Sequence, residues 1–311
     1  MLLSASNTAL IKTELDSVFY QNYDAWADAF PERATAETAA IFKPVSIDRG
    51  AYVEEIFKGS PMFAKVGETQ TIPAFTPSAG NKLTTFVEDF AASVPFSKDF
   101  FDDNLHGFYA ETIANLARNA RVTQSSNAFS IFRGAFTTTL TADGAAFIGT
   151  HTLLNGQSYT NKMTAQLSVP ALNEALAMMA EQPDQAGVVL GARGSILLVP
   201  DRMFVHATQI TQSALVADSA NNNVNVYRSA WGLTVYTSPY LGANAGGSDT
   251  AWFLLAPNHS VTRLVRQGLQ TALRSWEYSN DRTYLYQANF RETVYVKDYS
   301  GAIGSDGTSV S

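Results

Sequence analysis

The sequence predicts a mixed α+β fold with extended appendages, on three observations. A stretch from Lys98 onward repeats apolar residues at helical spacing over about seven or eight turns. The segment before it, 50 to 98, is rich in Gly, Pro, Thr and Phe and alternates like strands. The later part of the chain alternates short apolar strand-like runs with short amphipathic ones.

Composition narrows the function. The 311 residues are 46% apolar, enough to bury one large core or two ordinary ones. Only 16% are charged, below the roughly 25% of a typical soluble domain, which points to surface covered by other subunits. With 21 Lys+Arg against 28 Asp+Glu the net charge is −7. That balance argues against sequence-specific DNA binding, because affinity for phosphates comes from cations that release counterions. The absence of cysteine excludes a disulfide scaffold, a thiolate zinc site and a cysteine nucleophile together. The first residues, MLLSASNTALIKTEL, have neither a basic n-region nor a sustained apolar core, and no apolar run reaches about eighteen residues. The expectation is a protein made in the cytosol that stays out of the bilayer.

Taken in order, residues 1–35 place Ile11, Leu15, Val18 and Phe19 at helical spacing among scattered aromatics, and read as an N-terminal arm that needs a partner surface. In the hairpin at 50–98, alternation around Val66 to Ile72 and around Thr85 to Phe90 predicts two strands, with the turn-rich PSAGN of 77–81 as tip. An isolated two-stranded hairpin is marginal in water, so this one should lie on something else. Asp102 or Asp103 can cap the long helix, whose stripe is Leu105, Phe108, Tyr109, Ile113, Leu116 and Ala120 and whose stop is Gly134. TTTLTADG reads as a Thr-rich strand, followed by a polar loop carrying His151. LSVPALNEALAMMAEQ is a second helix, capped by Ser168 with Pro170 in its first turn. SILLVP at 195–200 is a buried strand, leading into a helix at about Asp201 to Val216. NVNVYRSAWGLTVYTSPYL and AWFLLAP supply strands around the flexible loop GANAGGSD. Val261, Leu264, Val265, Leu269 and Leu273 predict a helix over about His259 to Glu277, TYLYQANFRETVYVKDYSG gives one or two strands, and 301–311 reads as a flexible tail.

The search for chemistry names no catalytic, cofactor-binding or metal-ligating residue. Gly187, Gly191 and Gly194 have the wrong spacing for a phosphate loop and precede a strand, so the helix N-terminus that anion binding needs is missing. His106, His151, His206 and His259 are scattered, with no pair at i,i+4. Asp102 and Asp103 suit a helix N-terminus better than paired acid catalysis. Arg118 and Arg121, and then Arg263, Arg266 and Arg274, read as solvated helix faces or as contacts to neighbouring chains. Asn258-His259-Ser260 matches a glycosylation sequon, which carries no weight without a secretory signal. Abundant aromatics and long polar strands without a catalytic constellation favour an assembly protein.

The order of these segments resembles the tailed-phage major capsid proteins of the Hong Kong 97 fold, and more specifically the Mu-type major head subunit. The local resemblance lies in FVEDFAASVPFSKDFFDDNLHGFY, DGAAFIGTHTLLNGQSYTN and LNEALAMMAEQPDQAGVVLGARGSILLVPDRM. Within these, Asp102, Asp103, Leu105 and Gly107, then Asp143, Gly144 and His151, then Leu197 to Pro200 carry the pattern, with His106 intervening. The resemblance implies an arm at 1–35, an E-loop hairpin at 50–98, a P domain from 36–49, 99–162 and 281–300, an A domain at 163–280 and a tail at 301–311. It further implies pentamers and hexamers, with arm and E-loop reaching neighbouring capsomers. They would close into an icosahedral shell around double-stranded DNA in the virion, assembled in the host cytoplasm, with scaffold, portal and decoration proteins as partners. Some relatives weld subunits by a Lys–Asn isopeptide bond; Lys65 and Lys82 lie in the hairpin here. Two alternatives stand beside this one: an encapsulin-like nanocompartment, and a small-molecule α/β enzyme acting around His151 or the loop at 187–194.

Overall fold

A computed structural model describes residues 5–27, 41–57, 59, 62–67, 72, 74, 79–97, 106–213, 227–274 and 283–309. In chain order the elements are α1 (Ala5–Ala27), β1 (Lys43–Ser46), β2 (Ala51–Phe57), β3 (Ala79–Phe86), β4 (Glu88–Ser97), α2 (His106–Arg133), β5 (Thr150–Thr152), β6 (Ser158–Thr160) and β7 (Lys162–Ala165). There follow α3 (Val169–Ala180), β8 (Ile196–Pro200), α4 (Phe204–Gln212), β9 (Thr234–Ser238), β10 (Trp252–Leu255), β11 (Val261–Arg274), β12 (Thr283–Val296) and β13 (Ala302–Ser309). No helix among the described residues is long and apolar enough to cross a membrane.

Two sheets organise the chain. One has the order β1-β11-β12-β4, and the other the order β7-β13-β10-β8-β9. The 14-residue strands β11 and β12 pair antiparallel from Val261↔Val296 to Arg274↔Leu285, with irregularities between Val265 and Gln267 and between Gln267 and Gln270. One face of this ribbon, at Tyr284, Tyr286 and Ala288, packs with Phe96, with Tyr109, Ile113 and Leu116 from α2, and with Leu15 and Phe19 from α1. The distal end of α2 enters a second core, where Phe129 and Phe132 meet Phe42, Phe147, Phe253, Val261 and Val296. A third core fills the space between the five-stranded sheet and α3, around Leu172, Met179, Leu197, Trp252 and Ile303. The long helix therefore spans two cores, as its extended apolar stripe requires.

Several elements agree with their sequence signals for the expected reasons. Ser168 caps α3 by accepting from the Ala171 N–H, with Pro in the first turn and Leu172, Leu176 and Met179 buried. Ile196 to Pro200 are buried throughout, as a central strand's continuous apolar run demands. The arm's helical spacing is a real helix, and its partner surface includes its own chain: Phe19 is fully buried against Tyr286 and Tyr23. The capping position at Asp102 and Asp103 lies outside the described residues.

Four expectations are corrected. The helix at His259 to Glu277 is strand β11: Val261 and Leu264, on opposite faces by parity, are both buried, and the two irregularities shift the alternation further along. Covered faces and bulges together turn a period of two into an apparent helical spacing. The tail at 301–311 forms β13 over Ala302–Ser309, held between β7 and β10. Its small residues reflect close packing, since a Cβ on Gly304 would lie 2.9 Å from Ile148 and 3.0 Å from Phe253. TTTLTADG is a turn, with the N–H groups of Thr137, Thr138 and Thr139 converging on the Gly134 carbonyl at 2.9 to 3.0 Å. The limb that pairs with the returning strand is Ala51–Phe57; of the expected strand at Val66 to Ile72, residues 68–71 lie outside the described residues, as do 77 and 78 of the expected tip, while Ala79 to Asn81 already belong to β3.

Two boundaries drawn on the sequence also move. Glu88–Ser97, placed in the hairpin at 50–98, pairs with β12 along its length. Within 163–280, β11 leaves the five-stranded sheet for the four-stranded one, and β13 returns from the far side to complete the five-stranded sheet.

Because Ile303 is fully buried in the third core, Ile303→Ala should lower unfolding free energy by about 3 kcal/mol, read from the urea midpoint. A dispensable tail would leave that midpoint unchanged.

Candidate assembly surfaces

Among the described residues, strands β2 and β3 form a two-stranded sheet of their own, and of the seven residues of β2 only Ile56 is buried. Val53, Phe57 and Phe86 stay exposed on this hairpin. Beyond β2, Met62 and Phe63 are exposed as well, with Phe63 at 101% exposure. The hairpin is anchored at its base by Glu54, whose Oε1 lies 3.1 Å from the Lys297 ammonium and whose Oε2 accepts a short hydrogen bond from the Tyr295 hydroxyl. Burial, and then the neighbouring Glu54 charge, push the Tyr295 hydroxyl far above its ordinary range. Tyr52 adds a ring contact to Tyr295 at 5.6 Å. Lys82 stands across the hairpin from Glu55 at 3.7 Å, and Lys65 is exposed. A cleft of about 280 Å³ separates Ile56, Phe57 and Gly59 from Pro183 to Gln185 and Lys297 to Ser300.

A second concavity lies between α2 and the ribbon. It holds about 120 Å³ and is lined chiefly by Phe90, Ala92, Leu116, Ala120, Leu269, Ala288 and Phe290, with Asn119 and Thr123 also in its wall. The run of alanines creates it, because helix and sheet carry too little side-chain volume there to close the gap.

Beside it, buried charge joins β11 to β12 and α2 to α1. Arg263 donates to Glu292 at 2.5 and 3.2 Å, and Glu292 is almost fully buried. Burial raises the Glu292 carboxyl above its usual range, against the pull of Arg263 and Arg121. Arg121, also buried, donates to the Tyr23 hydroxyl of α1 and to Gln124. Arg121 and Arg263 are therefore structural ties between elements, whereas Arg266 and Arg274 are exposed as a solvated face would be. Arg118 sits over the Trp26 ring at 5.8 Å.

The residues weighed for catalysis are placed apart. His151 is buried in β5, with Nδ1 2.8 Å from Asp143 Oδ2 and its ring 4.7 Å from that of Tyr299. This is the orienting half of a nucleophile relay, but Nε2 is enclosed without a hydrogen-bond partner, so no nucleophile stands against it among the described residues. Burial works to raise the Asp143 carboxyl, but hydrogen bonds from His151 and Thr141 outweigh it and hold the carboxyl below its usual value. His206 bonds the Leu167 carbonyl at 2.8 Å, and the buried His259 accepts from the Val261 N–H. His106 begins α2, and its side chain is not among those described. Among the described residues no cluster of His, Asp or Glu could hold a metal ion. The loop at 187–194 is a turn set by Asp184, which accepts from Ala186 and Val188 at 2.8 Å each, and it leads into β8. Asn258, of the sequon, is exposed.

The architecture and its surfaces define a subunit made to be joined to copies of itself: two packed sheets, a long helix, and a hairpin whose apolar residues find no core at home. The family model "Phage capsid protein" matches residues 81–310, and the chain belongs to that family. The match names phage capsid proteins as a class, without the Mu-type subdivision. The fold is the Hong Kong 97 type, as solved structures show. The capsid of a native GTA particle has 16% identity, a TM-score of 0.56, and coverage of 89% of this chain and 91% of that one. The mature capsid of bacteriophage PhiM1 has 14% identity, a TM-score of 0.55, and coverage of 85% and 84%. A virus-like particle from Pyrococcus furiosus has 9% identity, a TM-score of 0.54, and coverage of 94% and 98%. No curated protein matches the chain in sequence. The protein is a phage major capsid protein.

Two outcomes follow from this geometry. Folding lowers the proton affinity of Asp143, so the stabilisation it brings is complete above the ordinary carboxyl pKa of 3.8 and is lost as pH falls through the lower folded value. Asp143→Asn should therefore lower the urea midpoint at pH 6 and narrow the gap to wild type at the acid end. Glu54→Ala should speed amide hydrogen exchange in 51–57 and 79–86 by at least tenfold while leaving β8 and β10 protected.

Proposed function

We propose that copies of this chain form pentamers and hexamers that close into an icosahedral shell around double-stranded DNA. The observation that carries this reading is the family match over 81–310 on a chain whose hairpin exposes apolar residues it cannot bury itself. The hairpin acts as the E-loop and, with α1 as the arm, reaches neighbouring capsomers. The four-stranded sheet with α2 forms the P domain, and the five-stranded sheet with α3 and α4 forms the A domain. Assembly takes place in the host cytoplasm, with scaffold, portal and decoration proteins joining the shell.

The chemistry supports a container with no catalytic step. A wall that encloses DNA driven in by a motor needs no affinity for phosphate, and a net charge of −7 keeps it from adhering to the genome. Cohesion without disulfides falls to buried area, at roughly 25 cal/mol per Å² of apolar surface spread over many contacts.

Electron microscopy and sedimentation of the chain, expressed alone and with its neighbouring head genes, test the proposal. Closed shells built from rings of five and six are expected, and their nucleic acid content separates virion from compartment. A stable monomer or dimer with those partners present would overturn it. Replacing 51–86 by a short turn should leave a folded chain that no longer closes shells.

A further inference from the structure

The chain carries an unfilled hole and an unburied knob of matching chemistry. The hole is the groove under α2, apolar in its lining and about 120 Å³ in volume. A cavity of about 150 Å³ lined by aliphatic and aromatic groups takes up benzene, so this one with its open mouth has room for a phenyl ring. The knob is Phe63, fully exposed on a segment at 62–67 that forms no helix or strand. The charges beside them also correspond. Lys65 lies two residues beyond Phe63 and is exposed, with no ion pair among the described residues. Glu88 lies two residues before Phe90 on β4, on the same face by strand parity, and is likewise exposed with no ion pair among the described residues.

We infer that Phe63 of one copy inserts into the groove between α2 and the ribbon of a second copy, with Lys65 meeting Glu88 at the mouth. This rests on the shell reading and specifies which surface of the neighbour the hairpin tip engages. Knob and hole occupy different parts of the chain, so the contact is head-to-tail and propagates around a ring instead of ending at a dimer. The alanines at 92, 120 and 288 acquire a purpose: they hold the groove open for a side chain that arrives from outside.

Because the chain has no cysteine, introduced thiols report this contact without background. The pair Ala64→Cys with Asn119→Cys keeps Phe63 in place and puts one thiol beside the knob and one in the groove wall. Assembled shells oxidised and run without reductant should give a ladder of linked oligomers. The pair Ala64→Cys with Ser130→Cys, about 16 Å further along α2, should give none. Intact shells without a ladder at position 119, or with an equal ladder at position 130, would overturn the inference and leave the shell standing; failure of the wild-type chain to form shells would instead remove the reading beneath it. As a second measurement, Phe63→Ala should raise the concentration needed for assembly about tenfold with the melting temperature of the unassembled chain unchanged. An unchanged assembly threshold would also count against the inserted ring.

Discussion

Pairing of β11 with β12 is the constraint on which the rest of the subunit depends. Each of the chain's extended parts meets this ribbon: β1 along one edge, β4 along the other, α1 and α2 across one face, and the hairpin base through Glu54 at Tyr295 and Lys297. Two of the three cores have residues on it, one at Val261 and Val296 and the other at Tyr284 and Tyr286. A shift of register by one residue would turn Tyr284, Tyr286 and Ala288 away from α2 and bring polar Gln287 and Asn289 under it. The Arg263–Glu292 pair guards against that shift. It is a buried cross-strand ion pair whose net contribution to stability is small, but whose misalignment would strand a charge.

The side of the five-stranded sheet obeys a different economy. Its sheet is sealed by Leu197, Leu198, Trp252 and Ile303, and its close strand contacts rely on glycine at 304, where any side chain would meet Ile148. Polar ties lock its turns: Asn161 bonds the carbonyls of Phe147 and Ala302, and Gln182 joins the Tyr299 carbonyl to the Gly301 N–H. The Asp143–His151 pair belongs to the same class of tie, joining the turn at 141–146 to β5 and to the ring of Tyr299. Its likeness to half of a catalytic relay reflects the general usefulness of a buried carboxylate for fixing an imidazole.

Legibility in the sequence followed how local the determining physics was. The α3 cap, the Ile196–Pro200 strand and the stripe of α2 are decided within a few residues and could be read directly. Strand β11 could not, because its bulges and its doubly covered end mimic helical spacing. Nor could β13, whose small polar residues have the composition of a mobile end and reveal their role only against Ile148, Phe253 and Thr250. The hairpin's lack of a private core was visible in its composition, which pointed toward assembly. The groove under α2 was not, since its alanines come from three separate stretches of chain, β4, α2 and β12, that only the tertiary structure brings together.

The irregularities at Val265 to Gln270 give the ribbon a crease, with Gly268 in open space beside it. A β-bulge concentrates twist and bend at one place while the ladder on either side keeps its hydrogen bonds. On either side of that place β11 and β12 stay in register, from Val261↔Val296 to Val265↔Glu292 and from Gln270↔Asn289 to Arg274↔Leu285. The irregular stretch also carries Leu269, which packs against the core shared by α1, α2 and β12, so the bend is placed where the ribbon meets its helices.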